Sequence, residues 1–313
     1  MRTILLFGLV LCLISCKEEK VDNHTNILKQ YITILGTAQD GGYPHIGCRN
    51  ECCKSFYEGR SKHQKVVCLG LIDKEVKKKF LFEATPNITT QLDDLERNHL
   101  KTSTIIDGVF LTHAHIGHYS GLVFFGREAL GRKDIPVFVM PKMRDFLEKN
   151  GPWSQLVDIK NIELRPLQKD STINVSKNLN VTPFLVPHRD EFSETVGYKI
   201  VGPRKSALFI PDINKWNLWE KNIVEEVKKV DYAFIDATFY KDGEINRPMS
   251  EIPHPFIEET VALFKDQPLI VKNKVVFIHF NHTNPTLQEN SKERKELEEQ
   301  GFKFAKEKDQ YFL

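Results

Sequence analysis

The sequence predicts an α+β fold, with stacked β-sheets and helices on their outer faces. Short apolar runs rich in Val, Ile, Leu and Phe recur along the chain, each bounded by turn or polar residues. Helical patterns fall between some of these runs, mostly in the later part, whereas a simple alternating fold would place one after each strand. No repeat and no Pro/Gly/Ser-rich linker breaks the chain after residue 30, so residues 30–313 read as one domain.

In order, the predicted strands are residues 31–36, 66–72, 80–82, 108–111, 136–140, 181–186, 207–210, 232–235 and 275–280. Each is short and dominated by residues that fit a pleated, buried surface, as in Tyr31-Ile32-Thr33-Ile34 and Val275-Val276-Phe277-Ile278. Helices are predicted over residues 121–130, 143–150, 216–229 and 256–264, where apolar residues take helical spacing.

The first sixteen residues belong to none of this. Arg2 precedes an apolar run from Ile4 to Ile14, which is too short to span a bilayer, a task for about 20 residues. A basic start, an apolar middle and small residues at its end describe an export signal. Leu13-Ile14-Ser15-Cys16 resembles the bacterial lipobox, which implies a signal peptide over 1–15 and lipidation of Cys16. Residues 16–29, with Lys17-Glu18-Glu19-Lys20, would then form a polar tether. The expectation is a cell-envelope protein, periplasmic or at the outer membrane, touching lipid only through its anchor.

The body is ordinary for a globular chain: of 313 residues, 41% are hydrophobic and 27% charged. A net charge of +2, from 44 basic and 42 acidic residues, provides no footprint for nucleic acid. The run Lys77-Lys78-Lys79 reads as a solvated turn. A small-molecule substrate is the expected partner, and the sequence leaves the oligomeric state open.

Of six cysteines, Cys12 and Cys16 lie in the export segment. Cys48, Cys52 and Cys53 crowd together, and adjacent cysteines bridge only with strain, so metal binding is expected there. Cys68, within Val66-Val67-Cys68-Leu69, reads as a small core residue.

The chemistry concentrates in Thr112-His113-Ala114-His115-Ile116-Gly117-His118, which follows an apolar strand directly. Three histidines within six residues are a dense cluster in a chain with only 11. Imidazole suits zinc, and a catalytic zinc takes three protein ligands plus water. His113 and His115, two apart past a strand end, can face one point.

This segment, followed by Ser120-Gly121-Leu122, resembles the signature of the metallo-β-lactamase superfamily. The resemblance implies a four-layer αββα sandwich. It also implies His188, after Val186-Pro187, as third ligand of the first zinc, Asp212 as the bridging aspartate, and His279 as a second-site ligand beside His118. Leu35-Gly36-Thr37-Ala38-Gln39-Asp40-Gly41-Gly42, Glu83-Ala84-Thr85-Pro86-Asn87, Asp236-Ala237-Thr238-Phe239 and His279-Phe280-Asn281-His282 are similar to the coenzyme PQQ synthesis protein B family. The phosphodiesterase branch used in phosphonate breakdown is the next nearest resemblance. From that branch comes a structural zinc on Cys48, Cys52, Cys53 and His282.

Two departures stand out. The superfamily has Asp where this chain has Gly117, which removes a carboxylate from the second site and predicts one zinc, or two of unequal affinity. The thiolates are spaced Cys-x-x-x-Cys-Cys, where the branch has Cys-x-Cys-x-x-Cys.

The reaction implied is hydrolysis of a small ester, phosphodiester or lactone. Zinc on three neutral imidazoles lowers the pKa of bound water towards about 7, and Asp212 orients that water or takes its proton. His254, in Ile252-Pro253-His254-Pro255, reads either as a substrate or proton-transfer residue at the pocket mouth or as a cap for the helix starting near Phe256. Arg189 reads as the partner of Asp190 or Glu191. The alternatives are a role in quinone-cofactor synthesis, with an oxidising iron replacing zinc, and a non-catalytic metal- or ligand-binding lipoprotein.

Overall fold

The computed structural model describes residues 29–313, apart from residue 247. The predicted signal peptide, Cys16 and nearly all of the tether lie outside the described residues.

Among the described residues, fourteen strands form two seven-stranded sheets. The first contains β1 (Gln30–Gly36), β2 (Cys68–Asp73), β3 (Lys78–Phe82), β4 (Gly108–Phe110), β5 (Ile135–Val139) and β6 (Ile162–Pro166). The second contains β7 (Ile173–Asn174), β8 (Asn180–Leu185), β9 (Val196–Val201), β10 (Ser206–Ile210), β11 (Tyr232–Asp236), β12 (Val275–Ile278) and β13 (Lys303–Phe304). The last strand, β14 (Gln310–Phe312), returns to pair antiparallel with β1 at the edge of the first sheet. Each sheet is half antiparallel and half parallel: β3 to β6 run parallel in the first, β10 to β13 in the second.

Side-chain alternation builds the layers. On β3, Phe80 and Phe82 point between the sheets while Leu81 points out. The interior joins Phe82, Phe110, Tyr198, Phe209 and Phe234, with the Phe82 and Phe110 rings stacked at 4.9 Å. Leu81, Val109 and Val137 instead meet helical residues Leu92, Leu122 and Leu147 on the outer face. On the second sheet, Ile210, Ile235 and Phe277 meet Trp216, Val227 and Phe264. The result is the predicted four-layer αββα sandwich, with one apolar layer between the sheets and one under each set of helices.

All nine predicted strands are present, with ends shifted by a residue or two. The helix predicted over 121–130 is a correction. The chain forms a short helix at Ile116–Tyr119 and a 3-10 turn at Ser120–Phe125. The reason is a close approach at Gly121: a Cβ there would lie 2.1 Å from the Thr85 carbonyl oxygen, and the Gly121 amide donates to the Ala84 carbonyl. The helix predicted over 216–229 is split into a 3-10 turn at Trp216–Leu218 and a helix at Ile223–Lys228. Asn222 restarts it, its side-chain oxygen accepting from the Val224 and Glu225 amides. Among the described residues no helix is long and apolar enough to cross a membrane.

Candidate metal centre

The predicted ligands sit just past strand ends, which the topology gathers at one edge of the sandwich. His113 follows β4, His188 follows β8, Asp212 follows β10 and His279 follows β12. Binding crevices in open sheets lie outside the carboxyl ends of parallel strands for the same reason. The segment after β4 stays extended because its Thr112 carbonyl accepts from the Val196 amide and its Ala114 amide donates to Ser193. On an extended chain, residues two apart face the same way, so His113 and His115 converge.

His113 Nε2 lies 2.8 Å from His115 Nδ1 and 3.4 Å from Asp212 Oδ2. His188 Nε2 lies 3.3 Å from both His115 Nδ1 and Asp212 Oδ1. Ligands about 2.0–2.1 Å from one tetrahedral zinc stand about 3.3 Å apart, so these four donors have the spacing of a coordination shell. Each ring is also held from behind. His113 Nδ1 is 2.9 Å from Thr112 Oγ1, His188 Nδ1 is 3.2 Å from Asn214 Oδ1, and His115 Nε2 is 3.0 Å from Glu191 Oε2. These partners fix the tautomer that leaves the inner nitrogen free for a cation.

A second group adjoins the first. His118 Nε2 and His279 Nε2 lie 3.7 and 3.9 Å from Asp212 Oδ2, and Asp40 Oδ1 lies 3.2 Å from His118 Nε2. The His118 and His279 side chains are fully buried, and both Nε2 atoms lack a hydrogen-bond partner, as do Asp40 Oδ1 and Asp212 Oδ1. Buried polar atoms without partners are costly unless something else satisfies them, so this donor set fits a metal. His279 and Glu83 also hold left-handed backbone, at φ 70° and 84°, a conformation rare for residues with side chains and concentrated at functional sites.

The electrostatics agree with a cation site. Burial, joined by the charge of His118, presses His113 well below the usual imidazole range; burial also lowers His188. Both are therefore neutral ligands at pH 7. For His118 burial opposes the charge, but Glu83 and Asp40 outweigh it and hold the imidazole well above its usual value. Burial likewise opposes ionisation of Asp212, yet His188, His254 and His279 hold it well below the carboxylate range.

His254 does not cap the helix that follows it. It is buried, with Nδ1 2.8 Å from Asp236 Oδ2 and 3.1 Å from Asp212 Oδ1. Against its own burial, these carboxylates push its pKa up to about 10. The helix at Ile257–Phe264 is capped instead by Glu259, which accepts from the Phe256 amide. His254 is thus hydrogen-bonded to Asp236 and lies beside Asp212. Arg189 lies 3.6 Å from Glu191, the predicted pairing.

Cys48, Cys52, Cys53 and His282 also converge, every ligand atom within 4.8 Å of the others. Cys52 and Cys53 ride on the helix Glu51–Tyr57, and Cys48 Sγ approaches Cys52 Sγ to 3.6 Å. Cys68 is buried in the core. Sequence reasoning missed Asp40, Glu83, Glu191 and Asp236 as site residues. Asp40, Glu83 and Asp236 stand in segments already noted for their resemblance, and Glu191 was read only as a partner of Arg189, but nothing in one sequence shows where their carboxylates point.

The Beta-lactamase superfamily domain description matches residues 78–280. The chain belongs to this superfamily. Its match runs from β3 to just past His279, so it contains every first-site ligand. Among curated relatives, coenzyme PQQ synthesis protein B of Gluconobacter oxydans is 25% identical over 302 residues, covering 88% of this chain and 96% of the relative. The protein of the same name from Cupriavidus necator is 23% identical over 301 residues, with the same coverage. Among solved structures, zinc-bound PqqB from Methylobacterium extorquens superposes with a TM-score of 0.77 at 21% identity, covering 90% of this chain and 100% of that one. A diphosphatase of the PhnP family gives 0.61 at 21% identity, covering 90% and 96%. These superpositions establish the fold of this superfamily member.

Proposed function

We propose that this superfamily member is a metal-dependent enzyme, with the metal on His113, His115, His188 and Asp212, acting on a small molecule in a role akin to coenzyme PQQ synthesis protein B, with iron in place of zinc for oxidative chemistry. The convergence of those four donors at 2.8–3.4 Å carries the metal assignment. What supports the cofactor-synthesis role is similarity to those proteins along 96% of their length. It takes precedence over the hydrolase reading that the sequence alone favours.

Hydrolysis of a small ester, phosphodiester or lactone is the second reading, and the position of Asp212 favours it. One Asp212 oxygen faces His188 and the other faces His113, His118 and His279. A carboxylate so placed orients a water between the two donor groups and accepts its proton. Bound zinc supplies the lowered water pKa and the Lewis acidity for that chemistry. Oxygen uptake by the iron(II)-loaded protein with redox-active quinone precursors, run beside an esterase, phosphodiesterase and lactonase panel on the zinc-loaded protein, separates the two. Uptake without hydrolysis supports the cofactor-synthesis role, hydrolysis without uptake the second reading, and silence in both overturns the enzymatic proposal.

We also propose envelope anchoring through Cys16. Incorporation of labelled palmitate that Cys16→Ala abolishes supports it, and a chain that stays unlabelled in its own host contradicts it.

A further inference from the structure

Gly117 leaves the second donor group without the carboxylate that the superfamily places there, yet the group is not short of one. A Cβ built on Gly117 would lie 2.1 Å from Asp40 Oδ1 and 2.6 Å from Asp40 Cα. The Asp40 carboxyl thus occupies the space that a side chain at 117 would need. We infer that Asp40, from the loop after β1, replaces the lost aspartate and completes a second divalent-cation site with His118, His279 and a shared Asp212.

The loop is built to hold this carboxylate. Gln39 donates its amide N–H to the Phe280 carbonyl and Phe280 donates to the Thr37 carbonyl, which ties the segment before Asp40 to the residue after His279. A turn closed by the Gly42 amide on the Gln39 carbonyl, with Gly42 at φ 66°, sets the direction of the side chain. Gln39 Nε2 donates to Asp40 Oδ2 at 2.8 Å, which occupies the outer oxygen. The inner oxygen, Oδ1, faces His118 Nε2 at 3.2 Å, yet neither atom has a hydrogen-bond partner. Both atoms are therefore available to one cation placed between them and His279. A cation so placed satisfies His118 Nε2, His279 Nε2 and Asp40 Oδ1 together, and the three lie within 4.8 Å of one another. The imidazole and carboxylate set suits zinc, manganese or iron(II) better than a hard alkaline-earth ion.

The exchange also explains why Gly is needed at 117. Carboxylates from both positions cannot fit, so a ligand supplied by Asp40 requires a residue without a side chain facing it.

This inference rests on the reading that the neighbouring His113 group binds zinc, and the test keeps the two apart. Chelator-stripped protein is reconstituted with zinc alone and its bound metal counted, for the wild type, Asp40→Ala, the near-isosteric Asp40→Asn, the exchange variant Asp40→Gly/Gly117→Asp, and His113→Ala/His115→Ala. Both single Asp40 variants should hold one zinc fewer than the wild type, or bind it at least about 100-fold more weakly, since even outer-shell partners are worth about 10–100-fold. The exchange variant should recover that ion, because it returns the carboxylate to 117 and clears the space it needs. An unchanged zinc count in folded Asp40→Asn overturns the inference, as does an exchange variant no better than Asp40→Ala. Loss of zinc from His113→Ala/His115→Ala reports on the first site separately. If that variant alone keeps its full count, the first-site reading fails while the Asp40 result still stands.

Discussion

His113 and His115 turn different ring nitrogens, Nε2 and Nδ1, towards each other at 2.8 Å. On an extended segment both rings point to one side, but they leave the backbone 2 residues apart. Using the far nitrogen of one and the near nitrogen of the other brings both lone pairs to one point. Neither imidazole alone makes the site. His113→Ala/His115→Ala should therefore lose the zinc held with His188 and Asp212, and turnover should fall by about 10³-fold or more, as when a metal-activated nucleophile is lost. Zinc content measured beside rates on the active substrate checks this, and a variant that keeps both contradicts it.

Glu191 reaches His115 from outside the site, at 3.0 Å. Removing its charge with Glu191→Gln leaves every ligand in place but loosens the ring. Zinc affinity at the first site should fall by about 10–100-fold in a chelator competition. An unchanged affinity would mean that the contact does not position His115.

The cysteine group should bind a separate, structural zinc. Although burial opposes it, the Asn50 amide and the neighbouring thiols draw Cys48 below the usual thiol range, which favours the thiolate form that a metal takes. Cys48→Ser/Cys52→Ser should lose about one zinc per chain and melt at a lower temperature, because closed thiolate sites contribute directly to folding. Equal zinc content and equal melting would show the cysteines to be free thiols.

Asp73 ties the two sheets together away from the metal centre. From the end of β2 it accepts from Gln30 at 2.8 Å, and across the sandwich from Ser176 at 2.7 Å and Asn178 at 3.0 Å. Burial opposes its charge, but these donors outweigh it and hold its pKa below the unfolded value of 3.8. A depressed folded pKa contributes stability that is present above the unfolded pKa and is lost as pH falls through the folded one. Asp73→Asn should thus cost about 2–3 kcal/mol at pH 7, the scale of hydrogen bonds to a charged group. The gap from wild type should narrow below about pH 4, as read from urea midpoints across pH. A constant gap down to pH 2 would show that ionisation of Asp73 is not what stabilises the fold.

Nine of the fourteen described strands were legible because burial on both faces writes continuous apolar runs, as in Val275-Val276-Phe277-Ile278; β6, β7 and β9 were not. The short β13, and β14 with Gln310 at its start, carry too few apolar residues to stand out. The first site was legible because its ligands follow strands directly. The helix after His118 was misjudged in length because the Gly121 contact with Thr85 is tertiary. Asp40 was hidden for the same kind of reason: it lies 78 positions from His118, and only the pairing of its loop with Phe280 brings the two together.

The most direct test of the account is zinc X-ray absorption on purified Cys48→Ser/Cys52→Ser, which removes the sulfur ligands and leaves the histidine centre. Bound zinc is expected with a nitrogen and oxygen shell at about 2.0–2.1 Å and imidazole scattering beyond it, and about one zinc per chain is expected to go when His113→Ala/His115→Ala is added. Zinc absent from the first protein, or an equal zinc count in the second, would contradict the account.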